Sequence, residues 1–389
     1  MEKEASIVRV CLGALVALLI GVSFIGPMAE NGVQLTTVSL PDVPSIIRVR
    51  LKALGKGPWT LDASAHLDSE DGDVLQAGTR ITHDGSMLCI DGVAHARVLG
   101  LFPAHGHPIT LNHRPYPGHC TIHDRENFDD PVVIAHVESE LYVSHVLPAE
   151  MPLHYPEGAL RAQAVAIRTY GLWQAQNRQD RLWDVMDGQT SQVFVGGTAT
   201  LASIAPVQAT DHQVLLFRNE LLPTYYSAIC GGATRSNQEA FGAEELAPLA
   251  GVSCNYCRWT RTRNWTVKVS SSKLRSALGL SEPVLGVRIE AIGNSGYDSD
   301  LVVETASGET SFSTTEVRKK VGGGMRSSWF EKATFAGSSI VIHGLGFGHG
   351  VGLCQTGARR LAQQGRNYVE VLDFYYRGAR LIRLENERG

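Results

Sequence analysis

Three stretches of this 389-residue sequence set reactive side chains at suggestive spacings. In "HVLPAEMPLHYPEG", Pro148 and Pro152 bracket Glu150. Two prolines fix local φ and disfavour helix, so the expectation is a stiff, non-helical mount for the carboxylate, just ahead of a helix. Rigid mounting suits a general acid, whose usefulness depends on placement as much as on pKa. The plainer alternative is a surface glutamate in a proline-rich loop.

In "GLGFGHGVGLCQTGA", residues 344–358, glycine occupies every second position from Gly344 to Gly352, with His349 and Cys354 among them. The dinucleotide fingerprint needs glycines at offsets zero, two and five, and the phosphate loop needs Gly-Lys before Ser or Thr; neither fits. A period of two predicts extended chain, with Leu345, Phe347, His349, Val351 and Leu353 on one face and bare backbone on the other. Bare backbone marks close approach by a ligand or another segment, or else a glycine-rich turn against a neighbouring strand.

The seven cysteines are Cys11, Cys89, Cys120, Cys230, Cys254, Cys257 and Cys354. Cys254-Asn255-Tyr256-Cys257 is compatible with a zinc knuckle, a redox pair or chance. With Cys230 it makes three thiolates, one ligand short of a closed structural zinc site. A histidine that sequence does not identify could be the fourth ligand, and a disulfide from Cys230 to one of the pair stands beside the metal reading.

The elements that must carry these groups follow from composition. At 43% hydrophobic and 19% charged, the chain is an ordinary globular sequence with room for one large or two modest domains. A net charge of −4 with scattered basic residues gives no reason to expect a nucleic-acid partner. "VCLGALVALLIGVSFIGPMA", residues 10–29, is uncharged and long enough to cross a bilayer. Lys3 and Arg9 precede it and no basic residue follows until Arg48, which points the rest of the chain outside the cell. Cleavage after Ala29 would put Pro27 at the minus-three position, unlike a signal-peptidase site, so an uncleaved anchor is expected, with a cleaved signal peptide as the alternative.

Residues 31–111 alternate short apolar runs with Gly, Asp and His turns and read as β-rich. "EGALRAQAVAIRTYGLWQAQNR" after Pro156 reads as the first helix. "QVLLFRN", "WTVKVS", "VLGVRIEAI" and "SSIVIHGL" read as strands, and "TGARRLAQQG" and "NYVEVLDFYYRG" as short helices closed by glycine. The expected class is α+β: one N-terminal membrane helix at 1–30, then a β-rich exported part, 31–111 and 112–389, with few helices around a cleft.

Together, "VLPAEMPLHYPEGALRAQAVAIRTYGL", "YYSAICGGATRSNQEAFG" and "GFGHGVGLCQTGARRLAQQGRNYVEVLDFYYRGARL" resemble the stage II sporulation protein D family, which includes the amidase enhancers. The likeness runs from about residue 112 to the C-terminus, in the family's order. It implies a membrane-anchored lytic transglycosylase acting on peptidoglycan glycan strands stripped of their stem peptides. By the resemblance Glu150 is the catalytic glutamate of the family's E-M-P motif, and Arg168 is the arginine of its A-R-T-Y motif. Ser191 and Gln192 of "SQVFVG", His349 and Gln355 are implied to line or shape the cleft. The chain departs from the family in having Cys354 where serine is usual and Thr356 where tyrosine is usual. Cys354 is expected to be a small packing residue; a Cys-His hydrolase is the minor alternative.

Ordinary glycosidases need two carboxylates, whereas a lytic transglycosylase can use one, because the sugar's own C6 hydroxyl attacks and no water is activated. Glu150 must then begin protonated, for which Leu147, Pro148, Met151 and Pro152 are expected to supply an apolar wall. Arg168 is expected to position substrate or make a structural ion pair, and His349 to bind sugar hydroxyls, orient Glu150 or sit satisfied in the core. No cofactor is needed for this catalysis, and zinc would be structural. The competing readings are a non-catalytic activator of a cell-wall amidase and, more remotely, a catalytic zinc site at the cysteines.

Overall fold

The computed structural model describes residues 35–40, 42–124, 130–188, 191–197, 199–293 and 295–385. All elements below belong to the unit Thr37–Gly389. The apolar segment at 10–29 lies outside the described residues, and among those described no helix is long and apolar enough to cross a membrane.

The described residues form a strand-rich α+β fold with eight α-helices. These are α1 (Ser139–Glu150), α2 (Glu157–Gln176), α3 (Leu201–Gln208), α4 (Asn237–Phe241), α5 (Ser271–Leu278), α6 (Thr314–Val321), α7 (Gln355–Gln363) and α8 (Tyr368–Tyr375). The central sheet has seven strands in the order Val185–Met186, Ile46–Arg50, Val132–Glu138, His119–His123, Val98–Pro103, Ala65–Leu67 and Val74–Leu75. Its pairings are antiparallel except that Val185–Met186 runs parallel to Ile46–Arg50. The sheet thus draws strands from both sides of residue 112. A four-stranded sheet joins Thr37–Val38, Arg380–Leu384, Gln213–Phe217 and Glu220–Leu221.

Helices α1 and α2 pack against each other and against the strand Ile46–Arg50, sharing one core with Ile47, Val49, Tyr142, Val143, Val146, Leu147, Val165 and Ile167. A second core, built on Trp265, Leu301, Phe330 and Ile342, belongs to two three-stranded sheets with α5 and α6. These elements all fall between Asn264 and Leu345, so this lobe is inserted between the Cys254-x-x-Cys257 pair and Cys354.

The expected strands and the three expected helices are present, and α2 begins directly after Pro156. Two expectations are corrected. Glu150 does not stand on a non-helical mount: it is the last residue of α1, which includes Pro148 and is closed by the Met151 amide donating to the Leu147 carbonyl at 2.9 Å. Proline removes one amide donor in the final turn, and burial of Tyr142, Val143, Val146 and Leu147 on one helix face outweighs that loss. The alternating glycines are not an extended strand. The strand ends at Leu345, and Gly346, Gly348, Gly350 and Gly352 have φ of 88°, 113°, 79° and 68°. Left-handed glycines alternating with ordinary residues reproduce the period of two without a sheet.

Arg168 of α2 is fully buried and locks α2 to α1. Its Nε and Nη2 donate to the two carboxylate oxygens of Glu140, each at 2.6 Å. Its remaining hydrogen bonds go to the carbonyls of Gln213 at 3.1 Å and Val207 at 3.4 Å. Arg168→Ala would leave these acceptors facing a void, with an expected loss of about 3–5 kcal/mol in denaturant unfolding; a loss under about 1 kcal/mol would show that the ion pair does not hold the helices.

Candidate functional site

Glu150 is half-buried at the C-terminal end of α1, where its Oε1 accepts the Val193 amide at 2.6 Å. Burial raises its pKa above the usual carboxylate value; the Val193 N–H and the Tyr226 hydroxyl pull the other way and do not cancel it. The Tyr226 hydroxyl is buried, makes no hydrogen bond within normal distance among the described residues, and has its own pKa pushed well above 10, first by burial and then by Glu150. It therefore stays protonated beside the carboxyl. The expected apolar wall is only partly there. Leu147 and Met151 are buried, but Pro148 and Pro152 are exposed, since a helical end turns them outward.

The Val193 amide is fixed by its neighbour Gln192, which is 1% exposed. Gln192 accepts the Tyr142 hydroxyl at 2.7 Å and donates to the Ile167 carbonyl at 3.4 Å. Tyr142 lies on α1 and Ile167 on α2, so both helices hold the segment that grips Glu150. Ser191 accepts the Met186 amide at 3.2 Å. Phe194 is buried beside the rings of Tyr116 and Tyr142. Gln192 and Ser191 thus support the site rather than face outward from it.

His349 reaches the site through the backbone. Its Nδ1 accepts the Val351 amide at 3.0 Å, its carbonyl accepts from Arg235 Nε at 2.8 Å, and its ring faces the Tyr226 carbonyl. Burial, then Arg235, lowers its pKa to about 4, against an opposing contribution from that carbonyl. A neutral imidazole therefore buttresses the residue that carries the phenol. The ring also meets Tyr225 and Phe241, at centroid distances of 6.0 and 5.4 Å, and Phe241 is 46% exposed.

Glycine is obligatory in the segment that carries His349. A Cβ on Gly352 would lie 2.0 Å from the Tyr225 carbonyl oxygen, and one on Gly350 would lie 2.4 Å from the Tyr297 ring. The close approach foreseen for this backbone is made by the Tyr225–Cys230 stretch and by Tyr297. Cys354 follows as the N-cap of α7, in the short strand Leu353–Cys354 that pairs in parallel with Tyr226–Ser227. Gln355, buried, opens α7.

Arg168 is not brought to this cluster. Its partner Glu140 and Glu150 are ten residues apart on one helix, about 15 Å, and Arg168 is absent from the groups that shift Glu150. Sequence reasoning missed Glu140, Tyr226 and the Val193 amide. Tyr226 stood in the quoted "YYSAICGG", but nothing in the pattern distinguished it from Tyr225. A backbone N–H leaves no trace in sequence.

The cysteines converge as well. The thiols of Cys230, Cys254, Cys257 and Cys354 are buried and all lie within 4.8 Å of one another. The fourth group beside the three expected thiols is Cys354, whose small side chain is fully buried.

The stage II sporulation protein D family model, described as a stage II sporulation protein, matches residues 129–217, which contain Glu140, Glu150, Arg168, Gln192 and Val193. An uncharacterized protein of Brachyspira hyodysenteriae is 31% identical over 261 residues, covering 65% of this chain and 69% of its own. The chain belongs to the stage II sporulation protein D family. Within it, stage II sporulation protein D of Bacillus amyloliquefaciens is 26% identical over 265 residues, 63% of this chain and 74% of that one. The amidase enhancer of Bacillus subtilis is 25% identical over 288 residues, 61% of this chain but 39% of its own length.

Two titrations have opposite signs. Glu150 has a raised folded pKa, so its ionisation costs stability as pH rises through that value, and Glu150→Gln, which still accepts the Val193 amide, should gain in melting temperature over wild type as pH rises above the ordinary carboxylate range. His349 has a lowered one, so the unfolded chain takes up the proton first and stability should fall as pH drops from about 6.5 to about 4. His349→Asn should flatten that decline, as read by thermal melts across the range.

Proposed function

We propose that this chain is a peptidoglycan lytic transglycosylase that cleaves the bond between N-acetylmuramic acid and N-acetylglucosamine in glycan strands, with Glu150 as both acid and base. The observation that carries this reading is a half-buried glutamate with a raised pKa, set against a backbone amide and beside a phenol, with no carboxylate of the described residues among the groups that shift it. A two-carboxylate hydrolysis would need a second acid facing the first.

In the first half of the reaction, protonated Glu150 gives its proton to the bridging oxygen as the glycosidic bond breaks. The carboxylate so formed is stabilised by the Val193 N–H, which is already in place, and by the Tyr226 O–H once it turns to meet the new charge. In the second half, the carboxylate takes the proton of the C6 hydroxyl while that oxygen bonds to C1. The 1,6-anhydro ring closes, and Glu150 regains the proton it lost. His349 and Gln192 act by holding Tyr226 and Val193, and Phe241 and Tyr225 offer aromatic surface to the apolar faces of sugar rings. Passage of the chain across the membrane by the segment at 10–29 would put this site at the cell wall.

A second reading is supported by the name of the Bacillus subtilis relative: a glycan-binding activator of a cell-wall amidase, without turnover. The two separate in one assay. Denuded glycan strands and intact sacculi are incubated with the protein and muramic ends are scored by mass spectrometry. Wild type should produce 1,6-anhydro ends, and Glu150→Gln should lower their rate at least about 100-fold while still folding. Absence of anhydro ends from wild type on both substrates, with an amidase stimulated equally by wild type and Glu150→Gln, would overturn the transglycosylase reading in favour of the activator.

A further inference from the structure

We propose that Cys230, Cys254, Cys257 and Cys354 form a structural tetrathiolate zinc site that clamps the two ends of the inserted lobe and holds the wall of the Glu150 site. The inference does not rest on the glycan-cleaving reading.

The spacing of the four sulfurs accommodates a tetrahedral ion. Zinc–sulfur bonds of about 2.3 Å put the sulfurs of a tetrahedron about 3.8 Å apart; Cys230 and Cys257 Sγ are separated by 3.6 Å, and all four thiols lie within 4.8 Å of one another. A disulfide would engage two of these sulfurs and leave two buried thiols behind, whereas one ion engages all four. Three ligands precede the lobe that begins at Asn264 and the fourth follows the strand that ends it at Leu345.

The surroundings are those of a thiolate shell. Cys354 Sγ accepts the amides of Cys230 and Gly357, each at 3.3 Å, and stands at the N-terminus of the nine-residue α7, where the peptide dipoles favour negative charge. Cys254 Sγ lies 3.3 Å from the Tyr375 hydroxyl. Packing leaves no room for anything larger: a Cβ on Gly357 would fall 3.0 Å from Cys254 Sγ and 2.0 Å from the Tyr375 oxygen.

Binding exchanges each S–H bond for an S–Zn bond and releases the proton to solvent, with no change of oxidation state. The soft, closed set with no open position makes the ion structural rather than catalytic. Its reach to the site is short: Cys354 pairs with Ser227, next to Tyr226, and Tyr297 from the lobe donates to the Cys230 carbonyl at 2.8 Å.

The full chain, purified with a thiol reductant and without added metal, is analysed by elemental mass spectrometry, and then loaded with Co(II) in place of the native ion. The expected result is one zinc per chain, released as a mercurial titrates the thiols, and for Co(II) the ligand-field bands of a tetrahedral ion with thiolate-to-metal charge transfer. Each of Cys230→Ser, Cys254→Ser, Cys257→Ser and Cys354→Ser should weaken retention against a chelator at least about tenfold, and Cys89→Ser should not. Metal removal should lower the melting temperature by about 10 °C or more. The proposal is overturned by a metal-free wild type that gives an octahedral Co(II) spectrum, by disulfides mapped among the four cysteines, or by iron in place of zinc. None of these readouts depends on Glu150, and Glu150→Gln should bind the ion as wild type does.

Discussion

Arg168 carries a guanidinium into the fully buried interior, and the arrangement around it is what such a charge demands. A carboxylate must be presented to two of its nitrogens in one plane, and the remaining donors need carbonyls at fixed angles. Glu140 satisfies the first requirement from α1, and Gln213 and Val207 the second from the segment after α2. With that geometry fixed, α1 has one permitted position on α2. Its far end then delivers Glu150 to the one segment whose amide can meet it.

The catalytic candidate is consequently governed at both ends of one helix by opposite electrostatics. At the N-terminal end a carboxylate receives two hydrogen bonds from a buried guanidinium. At the C-terminal end a second carboxylate is held partly out of water, where the neutral form gains and two neutral donors temper the gain. Placing the cation with Glu140 keeps it away from Glu150, whose acidity it would otherwise restore.

Much of this was legible in the sequence. Helix α2, the later strands and α7 and α8 announce themselves by composition and flanking proline or glycine, and the motif spacing pointed to Glu150 and to three of the four cysteines. What escaped had physical causes. Helix α1 was hidden by Pro148, because a local rule about backbone donors cannot register the apolar face that overrides it. The glycine alternation has the period of a strand because left-handed and extended residues take turns. Cys354 was separated from its partners by an entire lobe, and Gln192 acts through Tyr142, fifty residues away. Distance in sequence is what concealed these, and no amount of local periodicity encodes it.

The lobe between Asn264 and Leu345 has its own core and departs from and returns to the main body beside the same four sulfurs. The lobe also presses on the segment beneath it, through Tyr297 against Gly350 and the Cys230 carbonyl and through Arg318 on the Gly348 carbonyl, so only its far side is uncoupled from that segment. Loops on the far side can lengthen or shorten, and its outer face can diverge between species, without displacing Glu150. The family's variation in length is therefore expected to concentrate here, giving each member a distinct outer surface above a shared chemical floor.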